Sequence, residues 1–185
     1  MKVIFLDRDG VINKYPGDKK YVTGPKAFRL LKRALLGIKL LHRSGYRICV
    51  VSNQAGVGKG LYAKKTLNDM TRTMTDAVKK SGGKITRVLY CTHLPDAHCS
   101  CRKPGVGMLR RAAKGVKIDF EDSYFIGDSM IDVKTGKNFG LKTILVFSGR
   151  EKAKNASRWE SQPDFVAKDL LEAAKNIVGR KYDRA

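Results

Sequence analysis

The stretch Val3-Ile4-Phe5-Leu6-Asp7-Arg8-Asp9-Gly10-Val11 decides how the rest of the chain is read. Four consecutive apolar residues suit a strand covered on both faces, and two carboxylates and a glycine follow at once. Acidic residues after strands are often mere loop formers or caps, so the stretch acquires meaning only if other strand ends behave likewise.

Working outward, short apolar runs alternate with longer stretches of helical period. Ala27 to Ser44 carries Leu30, Leu31, Leu35, Ile38 and Leu41 on one face and stops at Gly45, which predicts a helix. Arg47 to Val51 reads as a buried strand, Ala63 to Lys80 as a helix, and Ile85 to Cys91 as a strand. A helix over Val106 to Lys114, a strand over Tyr124 to Ile126, a helix over Met130 to Phe139 and a strand over Thr143 to Phe147 follow. The last helix is expected over Ala167 to Val178. Such alternation predicts an α/β fold: a three-layer, Rossmann-like parallel sheet with helices on both faces, built as one domain over residues 1–185.

Composition agrees. The 185 residues are 42% hydrophobic and 30% charged, which excludes disorder and fibrous repeats. No run of about 18 apolar residues occurs and the start is too short for a signal peptide, so a soluble cytoplasmic chain with no membrane partner is expected. The 38 Lys and Arg against 17 Asp and Glu leave a net charge of +21, attractive to nucleic acid or phosphorylated metabolites. The basic residues are scattered, including a tail from Arg180 to Arg184, which favours a generally basic surface over a nucleic-acid stripe.

In such a sheet, ligands bind beyond the carboxyl ends of the strands. Those ends offer Asp7 and Asp9, then Ser52 and Asn53, then Gly127-Asp128 with Asp132, while Arg102 and Lys103 precede Val106. Three carboxylates on one rim repel unless a cation sits among them, and hard oxygen ligands suit Mg²⁺. A lysine and a hydroxyl beside that metal describe a phosphoryl-transfer site. Separately, Cys91, His93, Cys99 and Cys101 fall within eleven residues of a chain with no export signal, a set suited to structural Zn²⁺, with His98 as the spare imidazole. Cys49, in an apolar strand, reads as a core residue.

These residues in this order resemble the haloacid dehalogenase-like phosphatases: Asp7-Arg8-Asp9-Gly10-Val11 is similar to the first motif, Ser52 to the second, Lys103 to the third, and Gly127-Asp128 with Asp132 to the fourth. The resemblance implies that Asp7 is the nucleophile and Asp9 the acid and base. It also implies Mg²⁺ held by Asp7, Asp128 and the backbone carbonyl of Asp9, phosphate held by Ser52 and Lys103, and Asp132 behind, orienting Lys103 or a metal-bound water. The chain has no room for an inserted cap, so the site is expected to be open. Within the family, the cysteine loop, Cys101-Arg102-Lys103-Pro104 and Ser52-Asn53-Gln54 are similar to the subfamily acting on heptose 1,7-bisphosphate and histidinol phosphate. That implies a small phosphorylated substrate, foremost a sugar bisphosphate losing its 7-phosphate, touched by Asn53 and Arg102. Histidinol phosphate and the 3′-phosphate of a nucleic-acid end are the alternatives, and a monomer is expected.

Overall fold

The computed structural model describes residues 1–180; the basic tail beyond Arg180 lies outside the described residues. Six strands form one parallel sheet in the order β3-β2-β1-β4-β5-β6: β1 Val3–Leu6, β2 Arg47–Asn53, β3 Arg87–Cys91, β4 Tyr124–Gly127, β5 Lys142–Val146 and β6 Phe165–Ala167. Strand order reverses at β1, which pairs with β2 on one side and β4 on the other, leaving a crevice above the ends of β1 and β4.

Alternating residues of each strand enter different cores, because successive side chains of a strand point to opposite faces. Ile4, Leu6, Ile48, Val50 and Ile126 pack with α1 (Lys32–Arg43), α3 (Lys64–Lys80) and α6 (Leu170–Gly179). Val3, Phe5, Cys49, Val51 and Phe125 pack with Met108, Leu109 and Ala112 of α4 (Gly107–Ala113). In α3 the buried residues Leu67, Met70, Met74 and Val78 recur at helical spacing. Helix α5 (Met130–Asn138) lies against β4 and β5 through Gly136, where a side chain would collide with Phe125 and Thr143.

Several expected boundaries move. The first helix begins at Lys32, not Ala27: Leu31 N bonds Ile12 O (2.9 Å) and Leu30 bridges Asn13, so backbone that a longer helix would use is tied to the loop after β1. Ala167 belongs to β6, paired with Val146, and not to the last helix. That helix starts after Asp169, whose carboxylate accepts from Glu172 N at 3.0 Å while Glu172 reaches back to Lys168 N. The short helix α2 (Ala55–Gly58), the 3-10 turn over Ala153–Arg158 and β6 have no counterpart in the sequence reading. No helix is long and apolar enough to cross a membrane among the described residues.

Candidate active site

Five carboxyl-end segments meet above the crevice. A cleft of about 220 Å³ there is lined by Asp7, Asp9, Ser52, Lys103 and Asp128, with Arg150 at its rim. Asp7 leaves β1 with its N–H still bonded to Ile126 O of β4 (3.0 Å), which places it at the point where strand order reverses. The Asp128 carboxylate, buried at the end of β4, sits between Gly10 and Gly149; a Cβ at either would overlap it, so only glycine admits this approach. Its Oδ2 accepts from Arg150 N at 2.8 Å.

Lys103 is buried, with its Nζ 2.5 Å from Asp132 Oδ1 and 3.0 Å from Asp7 Oδ1. Burial opposes its charge, but Asp132 and Asp7 outweigh burial and hold the ammonium above its usual range. Asp132 is in turn fixed by Ser129 Oγ (2.6 Å) and packs directly on Gly127. Asn53 accepts from Lys103 N (3.0 Å) and donates to Lys103 O (3.1 Å), a two-point grip on the backbone that carries the lysine. The sequence reading expected Asn53 to contact phosphate. Both Asn53 and Arg102 line the cleft, Asn53 with its amide engaged by the Lys103 backbone and Arg102 with a buried guanidinium nitrogen, Nη1, that has no hydrogen-bond partner.

Oxygens of Asp7, Asp128 and Asp132 lie within 4.8 Å of one another. Both oxygens of Asp132 are engaged by Lys103 and Ser129, which leaves Asp7 and Asp128 facing the crevice. Asp7 Oδ1 is buried and ion-paired but accepts no hydrogen bond. Burial, opposed by Lys103 and reinforced by Asp132 and Asp9, pushes the Asp7 carboxyl up to about 6. Burial, with Asp132 and Asp7, pushes Asp128 well above the ordinary carboxylate range. Two buried carboxylates that lie within reach of one another and resist ionisation fit a hard divalent cation, which supplies further positive charge between them.

The Asp9 side chain turns away from that cluster. Oδ1 accepts from Arg8 Nη2 (2.8 Å), Arg8 Nε (3.0 Å) and Asn13 Nδ2 (2.9 Å), and Oδ2 from Gln54 Nε2 (2.9 Å). Gln54 is itself oriented by Tyr62, whose hydroxyl donates to Oε1 at 2.7 Å. Arg8 is fully buried between the rings of Phe28 and Tyr90. Sequence reasoning missed Arg8, Asn13, Gln54 and Tyr62. The alternation Ile4-Leu6-Arg8 was the available signal, since it carries Arg8 inward on the face of its apolar neighbours.

At the end of the edge strand β3, Cys91 Sγ lies 3.6 Å from Cys99 Sγ and 3.4 Å from Cys101 Sγ, and Cys99 and Cys101 are 3.4 Å apart. His93 Nδ1 stands 3.2 Å from Cys101 Sγ and 3.6 Å from Cys91 Sγ. A tetrahedron with Zn–S bonds near 2.3 Å has sulfur–sulfur edges of about 3.8 Å, so these four groups already have the proportions of a closed zinc site. His93, not His98, joins the group. Burial opposes ionisation of Cys99, but contacts from Cys101, Arg102 N, Cys91 and His93 outweigh it and bring the thiol down to about 6.

Comparison with known proteins supplies the family. A family model described as HAD-hydrolase-like matches residues 100–173. The D-glycero-D-manno-heptose-1,7-bisphosphate 7-phosphatase of Chlorobaculum tepidum is 34% identical, covering 99% of this chain and 98% of that protein. The D-glycero-beta-D-manno-heptose-1,7-bisphosphate 7-phosphatase of Pseudomonas putida is 32% identical over 96% of this chain and all of that one. Among solved structures, the D,D-heptose 1,7-bisphosphate phosphatase of B. bronchiseptica, complexed with magnesium and phosphate, superposes with a TM-score of 0.88 at 31% identity, covering 97% of this chain and 99% of that chain. With relatives of this identity spanning nearly its whole length, the chain belongs to the D-glycero-D-manno-heptose-1,7-bisphosphate 7-phosphatase family of HAD-like phosphatases.

Proposed function

We propose that this chain removes the 7-phosphate of D-glycero-D-manno-heptose 1,7-bisphosphate through an aspartyl-phosphate on Asp7. Identity of 34% to a phosphatase of that name, over almost all of both chains, carries the reading. The Asp7 carboxylate attacks phosphorus and forms a new O–P bond as the bond from phosphorus to the C7 oxygen breaks. Asp9, protonated and turned toward the crevice from the Arg8, Asn13 and Gln54 donors that hold it, gives its proton to that departing oxygen, then takes one from the water that attacks the phospho-Asp7, and the O–P bond to Asp7 breaks to release inorganic phosphate. Ser52 Oγ and Lys103 Nζ hold the phosphoryl oxygens, Asp132 and Asn53 hold Lys103 in place, and Arg102 contacts the substrate.

Asp7, Asp128 and the Asp9 carbonyl would hold Mg²⁺, which when bound offsets the negative charge of the phosphoryl group. Cys91, His93, Cys99 and Cys101 would hold a structural Zn²⁺ that fixes the loop leading into Arg102 and Lys103. The substrate is a small phosphorylated sugar, handled by a monomeric cytoplasmic protein of one domain.

The test is phosphate release, with Mg²⁺, from heptose 1,7-bisphosphate, histidinol phosphate and a 3′-phosphorylated oligonucleotide, with Asp7→Asn as the blank. A preference for the bisphosphate of about tenfold or more in kcat/KM is expected, with the Asn variant down about 10³-fold or more. Preference for either other substrate removes the substrate assignment, and full activity of the Asn variant removes the nucleophile.

A further inference from the structure

The active site uses the carboxyl ends of the strands, and a concentration of unpartnered charge lies at their amino ends. Strand β2, seven residues at about 3.3 Å each, separates the two by roughly 20 Å. Helices α1 and α3 both finish at the amino ends, one leading into β2 and the other into β3. Ser81-Gly82-Gly83 closes α3, with Gly82 N bonded to Lys79 O (2.9 Å) and Gly83 N to Val78 O (3.0 Å). Gly82 takes a left-handed φ of +85°, and side chains of α1 lie over it: Lys39 Cε is 3.5 Å and Arg43 Nη2 3.8 Å from where a Cβ would stand. Gly83 lets α1 come close, since a Cβ there would meet Ile38 at 3.1 Å and Lys39 N at 3.2 Å.

Folding therefore gathers Lys39, His42 and Arg43 of α1 with Lys79 and Lys80 of α3 and Lys84 of the turn that follows. A cavity of about 590 Å³ opens among them, lined by His42, Lys79 and Lys84 together with Thr75, Asp76 and Ile85. Arg43, Lys79, Lys80 and Lys84 are exposed, and none of the five lysines and arginines makes an ion pair among the described residues. Basic side chains in a last helical turn complement the helix dipole, but each helix end offers only about half a negative charge. Two such ends and Asp76 offset about two of the five positive charges, so the face keeps a surplus that the dipoles do not explain.

That surplus suits a polyanion. The cavity is lined by no phenylalanine, tyrosine or tryptophan on which unpaired bases would stack, and its one large apolar side chain, Ile85, is half-buried and offers nothing to insert into a lipid surface. Lysine and arginine heads that read charge alone fit the closely spaced phosphates of a duplex. We infer that this face docks the sugar-phosphate backbone of a nucleic-acid duplex, without regard to base sequence, while the active site stays free at the opposite end of the sheet. The inference does not depend on which sugar phosphate is hydrolysed, and it gives part of the +21 charge a use away from the crevice. The basic residues scattered along the sequence become a docking face only where α1 and α3 end side by side.

The experiment follows the anisotropy of a fluorescein-labelled DNA duplex of about 24 base pairs as protein is added, at roughly 50 mM and roughly 200 mM salt, beside sedimentation with phosphatidylserine vesicles. Saturable binding that weakens about tenfold or more across that range is expected. The triple variant Arg43→Gln, Lys79→Gln, Lys84→Gln is expected to bind about tenfold or more weakly, with the slope of log K against log salt flatter by about two to three. A second triple, Lys65→Gln, Lys154→Gln, Lys175→Gln, removes the same charge from other exposed positions and is expected to weaken binding less than about threefold. Both triples, and the wild type with duplex bound, are expected to keep kcat for phosphate release within about twofold, which shows that the variants are folded and the active site free. No binding by the wild type at the lower salt, equal losses in the two triples, or inhibition by the duplex that substrate relieves overturns the assignment. Sedimentation with vesicles that the first triple loses while duplex binding persists makes the face a membrane contact and overturns it as well. The phosphatase reading survives each of these results and falls only if the wild type releases no phosphate.

Discussion

At the scale of single residues, the two carboxylates of Asp-Arg-Asp differ because their partners differ. Asp7 faces Asp128 and Lys103 in a buried crevice, whereas Asp9 is saturated by donors from Arg8, Asn13 and Gln54. Tyr62 fixes which way Gln54 points: with Oε1 taken by the phenol, the Nε2 donors are left for Asp9 and for Ser52 Oγ at 3.2 Å. Removing that hydroxyl leaves the buried Gln54 Oε1 without its donor and loosens the amide that donates to Asp9. Tyr62→Phe is therefore expected to lower kcat by about three- to tenfold while KM moves less than about twofold. Steady-state kinetics on the bisphosphate decide it, and an unaltered kcat would detach this network from catalysis. Of these residues, Asp7, Asp9, Ser52 and Asp128 were legible because each stands at or just past a strand end, and Lys103 because it is a cation in the segment that leads into the next helix. Gln54 and Tyr62 were not, since a glutamine beside an asparagine and a tyrosine near a helix start have no pattern until the fold brings them to Asp9.

At the scale of elements, two segments carry predictions. Asp169 caps α6 and pairs with Arg33 of α1. Burial opposes its charge, but Arg33 and the Glu172 N–H outweigh burial and hold its carboxyl below the ordinary range. The unfolded chain therefore binds this proton more readily than the folded one, so the contribution is complete above the unfolded pKa near 3.9 and is lost as pH falls through the lower, folded value. Asp169→Ala is expected to cost about 1 kcal/mol at neutral pH, with the gap to wild type narrowing in acid. Urea melts at several pH values measure this, and a pH-independent gap would contradict it. The second segment is the cysteine loop, whose position beside β2 is fixed by Gln54 N bonding Cys91 O at 2.7 Å. Cys101→Ser is expected to abolish stoichiometric zinc by elemental analysis and to lower kcat/KM by about tenfold or more through misplaced Lys103. Full activity in a zinc-free protein would show that the loop holds its shape without metal. The loop's composition was readable at once, whereas β6 was not, because three residues offer too short a pattern to separate from the helix behind them.

At the scale of the whole molecule, the net charge of +21 acts on any doubly phosphorylated substrate before contact. Screening shortens that field as salt rises, with a Debye length near 10 Å at about 0.1 M. kcat/KM for the bisphosphate is expected to fall severalfold between roughly 20 mM and roughly 500 mM salt, with kcat less affected. Kinetics across that range test it, and a flat kcat/KM would mean that the charge lies away from the approach to the crevice.

By itself the sequence determined the alternation of strand and helix, the parallel sheet, the rim on which Asp7, Ser52 and Asp128 stand, and the four-membered cysteine and histidine group. All are local: a strand's period, the residue after its last apolar position and the spacing within one loop need no distant partner to be read. Only the tertiary structure decided that Asn53 grips the Lys103 backbone, that Arg8 is buried against Phe28 and Tyr90, that Gln54 reaches Asp9, and that Arg150 N braces Asp128. Each of these joins residues that depend on how separate elements stack, and the position of a side chain across such a junction is set by packing between elements and not by the residues beside it in the chain.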